Sequence, residues 1–194
     1  MSCRYGWISA LCPPCFAGVV LYLQSVQPHY DWHTQLMSEL ALGAQGFMMY
    51  GAFALAALGA ACLIPCFCGR PGSVSLTRAL FSILFGVAAV ALVVAGVVTL
   101  ACAPIPHIAS VFVAFVALGT AMFITFRQKI FGGFRWFSLA ALLFAVIALF
   151  LGSADVLAAG TTQRMAALGI LGWISVAGVY FSWGMTASDK VLDS

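Results

Sequence analysis

Three histidines, five carboxylates, seven cysteines and an arginine set apart from its fellows are the residues of this chain with chemistry to offer. Two histidines and two carboxylates share a segment that reads Pro28-His29-Tyr30-Asp31-Trp32-His33-Thr34-Gln35-Leu36-Met37-Ser38-Glu39-Leu40. Imidazole acts as acid, base or metal ligand near neutral pH. His33, Glu39 and the distant His107 would supply the two-His, one-carboxylate set of a catalytic zinc site, should the fold bring them together. In that arrangement Glu39 or His107 serves as general base, with the Ser38 hydroxyl beside them. The competing reading of the same residues is structural: Ser38 caps a following helix and Glu39 sits in its first turn, where the helix dipole favours a carboxylate.

A second cluster has the thiol chemistry. Cys12-Pro13-Pro14-Cys15 has the C-x-x-C spacing of redox and metal motifs, and Cys62, Cys66 and Cys68 follow in a later segment. Two such groups at one depth would fit tetrahedral zinc. A reducing cytoplasm disfavours disulfides, and free cysteine is an ordinary small apolar residue in helices. Cys3 and Cys102 fall on opposite sides and cannot pair with each other.

The elements that position these groups follow from composition. Of 194 residues, 64% are hydrophobic and 7% charged, with a mean hydropathy of +1.11. Soluble domains carry roughly 25% charged residues, so eight Lys/Arg and five Asp/Glu cannot clothe a 20.4 kDa globule in water. A soluble enzyme, a disordered chain and a nucleic-acid binder are all excluded. Six stretches reach the roughly 17–25 apolar residues that cross a bilayer: 7–23, 44–67, 78–101, 107–126, 134–152 and 165–185. None alternates with period two, so helices are expected and not barrel strands. The fold class is therefore all-α, a single six-helix integral membrane bundle. The first stretch is too long for a signal core and lacks a small-x-small cleavage site. Rows of small residues, Ala52/Ala56/Ala60 and Ser82/Gly86, are expected to let helices approach closely. No three-plus-three inverted repeat is visible.

Basic residues resist translocation. A cytoplasmic N-terminus places Arg4, Arg70, Arg78, Arg127, Lys129, Arg135 and Lys190 inside and only Arg164 outside, a seven-to-one bias that puts both termini in the cytoplasm of a cell-membrane protein. The same sorting gathers His29, His33, His107, Asp31, Glu39, Asp155 and Arg164, seven of sixteen ionisable side chains, on the outer face.

The motif His33-Thr34-x-x-x-Ser38-Glu39-Leu40, then Pro106-His107, then Gln163-Arg164 nine residues before Trp173, resembles the DUF998 family of six-span membrane proteins of unassigned function. That family is itself distantly similar to the Frag1/DRAM/Sfk1 group. The resemblance implies that His33, Ser38, Glu39, His107 and Arg164 form a shared polar signature, and it supplies no reaction. Where members usually carry a Ser-Asp-Leu-Gly-like element, this chain has Ser38-Glu39-Leu40-Ala41, keeping the charge and lacking the glycine.

Two functions compete. In the preferred one the outer mouth binds a lipid headgroup or small polar ligand, with Arg164 for an anionic group and His33, Asp31 and Asp155 for hydroxyls or amines. In the alternative, His107, Glu39 and Ser38 catalyse a hydrolase or transferase reaction on an outer-leaflet lipid, with zinc held by His33, Glu39 and His107. Membrane lipids are the expected partners in both.

Overall fold

The computed structural model describes residues 3–69 and 75–192. Six long helices carry the fold: α1 (Arg4–Val26), α2 (Met48–Cys68), α3 (Ser75–Val97), α4 (Pro104–Arg127), α5 (Phe134–Ser153) and α6 (Ala159–Leu192). Short 3-10 segments at Met37–Leu42 and Lys129–Phe131 sit in two of the connections. All six are long and apolar enough to cross a membrane. A helix satisfies its own backbone, which is the condition for crossing hydrocarbon. Each helix packs on its neighbours in sequence and α6 closes the ring against α1, with the α4–α5 seam the loosest.

The boundaries differ from the sequence reading where turn chemistry decides. Pro104-Ile105-Pro106 is the first turn of α4 and not a break before it, since proline lacks the N–H that a first turn leaves unpaired anyway. The sixth helix starts at Ala159, so Gln163 and Arg164 ride on its second turn. The second helix starts later than expected, at Met48, after a turn in which Gln45 takes a positive φ of 57°.

Prolines inside α1 free carbonyls that a membrane cannot solvate. Pro14 cannot donate to Ala10, and the Ser175 hydroxyl of α6 donates to that carbonyl instead (3.0 Å). Gly6 and Gly178 let α1 and α6 meet backbone to backbone: a Cβ on either would collide with the other helix. Ala52, Ala56 and Ala60 are fully buried, as the small-residue row implied. Ser82/Gly86 is different, because a Cβ at Gly86 meets nothing and no neighbour presses there.

The two ends are packed differently. One holds an aromatic cluster of Phe67, Phe81, Phe85, Phe131, Phe134, Trp173 and Phe181. There Trp173 donates its indole N–H to Ser138 (2.8 Å). The other is built on small side chains such as Ala52, Ala56, Ala91, Ala95 and Ala114 around Phe16 and Phe53. Arg4, Arg78, Arg127, Lys129 and Arg135 sit on the helix ends at the aromatic side; Arg164 sits at the other. Arg70 lies outside the described residues.

A disulfide between Cys3 and Cys66 ties the start of α1 to the last turn of α2. This overturns the expectation of reduced thiols, which followed from compartment alone. Antiparallel packing of α1 on α2 brings Cys3 to Cys66 across 63 residues of chain (Cα–Cα 5.4 Å).

Candidate functional site

The 27–47 connection is held by its own polar groups and not left as a loose loop. Asp31 accepts from the His33 N–H (3.0 Å) and the Thr34 hydroxyl (2.6 Å), an Asx-type turn. The Thr34 hydroxyl bond, then the His33 N–H, hold the Asp31 carboxyl below its ordinary range. Glu39 accepts from the Leu36 N–H (2.9 Å), closing one half of a capping box on the 3-10 segment. Gln27 donates to the carbonyls of Leu40 (3.0 Å) and Ala44 (2.9 Å). The Tyr30 hydroxyl lies 3.1 Å from the Gln35 carbonyl and 2.9 Å from that of Leu36.

This cap is stapled to α6. The Met37 N–H donates to Gln163 Oε1 (2.6 Å), the Thr161 N–H to the His33 carbonyl (3.0 Å), and Arg164 to the carbonyls of Gln35 (3.2 Å) and Gly160 (3.0 Å). Arg164 also donates to the Tyr30 hydroxyl (2.6 Å). Gly160 permits the approach, since a Cβ there would run into the carbonyls of Trp32, His33 and Gln35. Burial pushes the Tyr30 phenol up, against the opposing pull of the Arg164 hydrogen bond and charge.

Beneath the cap, a cavity of about 760 Å³ opens sideways between α4 and α5 and is floored by α6. Leu36 and Ser38 roof it; Phe112, Phe115, Val116, Gly119 and Phe123 form its α4 wall. On α4 it extends from His107 to Phe123, about 24 Å at ~1.5 Å per residue. No charged residue lines it. Four of its polar groups, Ser38, His107, Thr162 and Gln163, lie at the capped end, and Thr120, further along α4, spends its hydroxyl on the Val116 carbonyl (2.7 Å).

Three of those groups are unspent. Ser38 Oγ, His107 Nε2 and Thr162 Oγ1 are buried with no hydrogen-bond partner among the described residues. Unpaired buried polar atoms are rare because each costs about 1–3 kcal/mol, so three in one cavity wall are informative. His107 is otherwise well fixed: Nδ1 lies 2.9 Å from the Ala95 carbonyl and 2.7 Å from that of Val98, at the C-terminal end of α3. Carbonyl oxygens only accept, so Nδ1 carries the hydrogen and Nε2 of the neutral ring offers a lone pair. The imidazole ring also meets Phe53 edge-on at 5.9 Å between centroids.

The structure regroups the residues singled out from sequence. Ser38 and His107 share the cavity. Ser38 does not cap α2, which begins ten residues later; it lies in the 3-10 segment. His33 is exposed, stacked on Trp32 (3.6 Å) and bonded to Thr161. Glu39 is occupied in the cap. Asp31 and Asp155 are exposed and do not line the α4–α5 cavity, Asp155 taking a positive φ of 56° in the α5–α6 turn. His33, Glu39 and His107 are therefore not a ligand set: among the described residues no three His, Cys, Asp or Glu side chains come close enough to hold one metal ion. The same holds for the thiol clusters, from which the disulfide removes Cys66. Thr162 was missed, and its only sequence signal was a Thr-Thr pair before Gln163-Arg164.

The protein is a six-helix, multi-pass membrane bundle whose cap overlies a side-opening cavity lined by no charged residue. The chain matches, over residues 10–180, the model of a family described as protein of unknown function (DUF998), and it belongs to that family. Comparison with curated proteins and with solved structures finds no match.

Proposed function

We propose that the protein binds a neutral amphiphile of the surrounding bilayer in the α4–α5 cavity. The chain lies along Phe112, Val116, Gly119 and Phe123, and a hydroxyl- or ester-bearing head is held by Ser38, His107 and Thr162. The observation that carries this reading is the trio of unpaired buried polar atoms in a cavity without charge. With a hydrogen on Nδ1 the uncharged imidazole takes a donor at Nε2, and the two hydroxyls both give and take. An alcohol such as the head of a mono- or diacylglycerol offers both roles; a phosphate or ammonium would be desolvated without a counter-charge. The volume lies within the roughly 300–1,000 Å³ of ligand pockets.

A hydrolase would need a nucleophile bonded to its base. Ser38 Oγ and His107 Nε2 both lack a partner among the described residues, so they do not bond each other. Binding is thus favoured over catalysis.

The test uses a monoacylglycerol with a photoactivatable diazirine in its chain, added to the detergent-solubilised protein. Crosslinks should concentrate on α4 and α5 peptides and fall sharply in Gly119→Leu, whose side chain enters the cavity with only Leu142 at ordinary contact distance (3.4 Å). Labelling spread evenly over all lipid-facing helices and unaltered by Gly119→Leu would refute the proposal. Cleavage of the probe's ester by wild type and not by Ser38→Ala would refute it in favour of the hydrolase.

A further inference from the structure

A second groove, of about 610 Å³, lies on the opposite flank of α6, against α1. Its α6 wall is the single face Arg164, Ala167, Leu168, Leu171, Gly172 and Ser175, and its α1 wall runs from Pro13 to Gln24. From Arg164 to Ser175 it measures about 16 Å at ~1.5 Å per residue. That is about half of an apolar core roughly 30 Å thick, the depth of one leaflet. Unlike the α4–α5 cavity, this groove ends at a charge. Arg164 lines it beside Trp32, and among the described residues no carboxylate bonds it: its bonded partners are the Gln35 and Gly160 carbonyls and the Tyr30 hydroxyl. Of the roughly five N–H donors of a guanidinium, three are used in these bonds, so Nε–H and one Nη–H have no partner among the described residues.

We propose that the α1–α6 groove is a site for an anionic phospholipid of the capped-side leaflet, with one acyl chain along Leu168, Leu171 and Gly172 and the phosphate on the free donors of Arg164. The occupant follows from charge complementarity. A cation at the membrane boundary, already half desolvated and fixed by three bonds, stabilises an anion at little further ordering cost, and its remaining fork of N–H groups suits phosphate oxygens. Trp32 at the same end suits the headgroup zone, where an aromatic ring is half wet. The two flanks of α6 then sort lipids by charge, neutral on the Ser38–His107 side and anionic on the Arg164 side. This site stands on its own residues and does not depend on the α4–α5 reading. A small cavity of about 40 Å³ lies between the two grooves, lined by Met37, Ser38 and Gln163 among others, so the stapled cap forms part of the partition.

The experiment is native mass spectrometry of the full chain in mild detergent, titrated with phosphatidylglycerol or phosphatidylcholine of matched chains. Wild type should retain phosphatidylglycerol about tenfold better than phosphatidylcholine, and Arg164→Gln should abolish that preference. Because Arg164 also holds the cap, Gly172→Leu provides the independent arm. A Cβ at Gly172 meets nothing within 4 Å, so a larger side chain there starts in open groove, two turns of α6 away from Arg164. It should lower phosphatidylglycerol retention while leaving the thermal transition unchanged. Equal retention of the two lipids by wild type would overturn the proposal. So would undiminished phosphatidylglycerol retention in Gly172→Leu.

Discussion

Deleting the Ser38 hydroxyl should move stability and binding in opposite directions. Ser38 is 3% exposed and its Oγ has no partner, so the empty protein bears the cost of a buried, unpaired hydroxyl. Protein mutational data put that cost at about 1–3 kcal/mol. Ser38→Ala removes one oxygen at the rim of an existing cavity and adds little new void, so most of the cost is recovered. We expect the lipid-stripped variant to gain about 1 kcal/mol, or roughly 2–4 °C in Tm for a chain of this size. The ligand loses a hydrogen bond worth about 0.5–1.5 kcal/mol, a two- to twelvefold weakening. Thr162→Val, which keeps the shape and deletes the hydroxyl, should behave in the same way. The assay is the thermal transition of stripped protein with and without added monoacylglycerol. A Tm that falls in the stripped variants, by as much as it was expected to rise, would mean these hydroxyls are already satisfied, and the argument for a polar head in the cavity would collapse.

Other consequences test the cap and its staples. Gly160→Val drives a side chain into the carbonyls of Trp32, His33 and Gln35. It should cost more than about 2 kcal/mol and open residues 28–36 to protease; an uncut loop at unchanged Tm would contradict the close docking. Burial raises the Tyr30 pKa, so its stabilising contribution is complete below the unfolded tyrosine value of about 10 and is lost as pH rises through the higher folded value. Tm measured from pH 9 to 11 should therefore drop in wild type, with a smaller drop in Tyr30→Phe; parallel curves would refute this. Alkylation of the denatured, unreduced protein should tag Cys12, Cys15, Cys62, Cys68 and Cys102, with Cys3 and Cys66 tagged only after reduction. Labelling of Cys66 before reduction would contradict the disulfide.

The helices were legible because a bilayer demands long apolar runs that satisfy their own backbone, and no soluble fold imitates that pattern. The ends of α4 and α6 were less so: Pro104 and Pro106 look like breakers until they are placed in a first turn, where their missing donors cost nothing. His107 and Ser38 were identified as polar groups at the capped end, but their relation was not. It depends on α3 offering its terminal carbonyls to His107 Nδ1, a contact between helices that no local pattern announces. His33 and Asp31 show the opposite case. They are conspicuous in sequence, yet they spend their hydrogen bonds within the cap and on Thr161. The Arg164 groove could not be read at all, because emptiness beside Gly172 is a property of packed helices.

The central claim is that a neutral lipid completes the hydrogen bonding of Ser38, His107 and Thr162. Lipid co-purified with wild type and with Gly119→Leu, identified by mass spectrometry against the bulk membrane extract, tests it most directly. The account predicts a neutral, hydroxyl-bearing glycerolipid enriched at about one per chain in wild type and depleted in the variant. A lipid profile matching the bulk membrane in both proteins would contradict it.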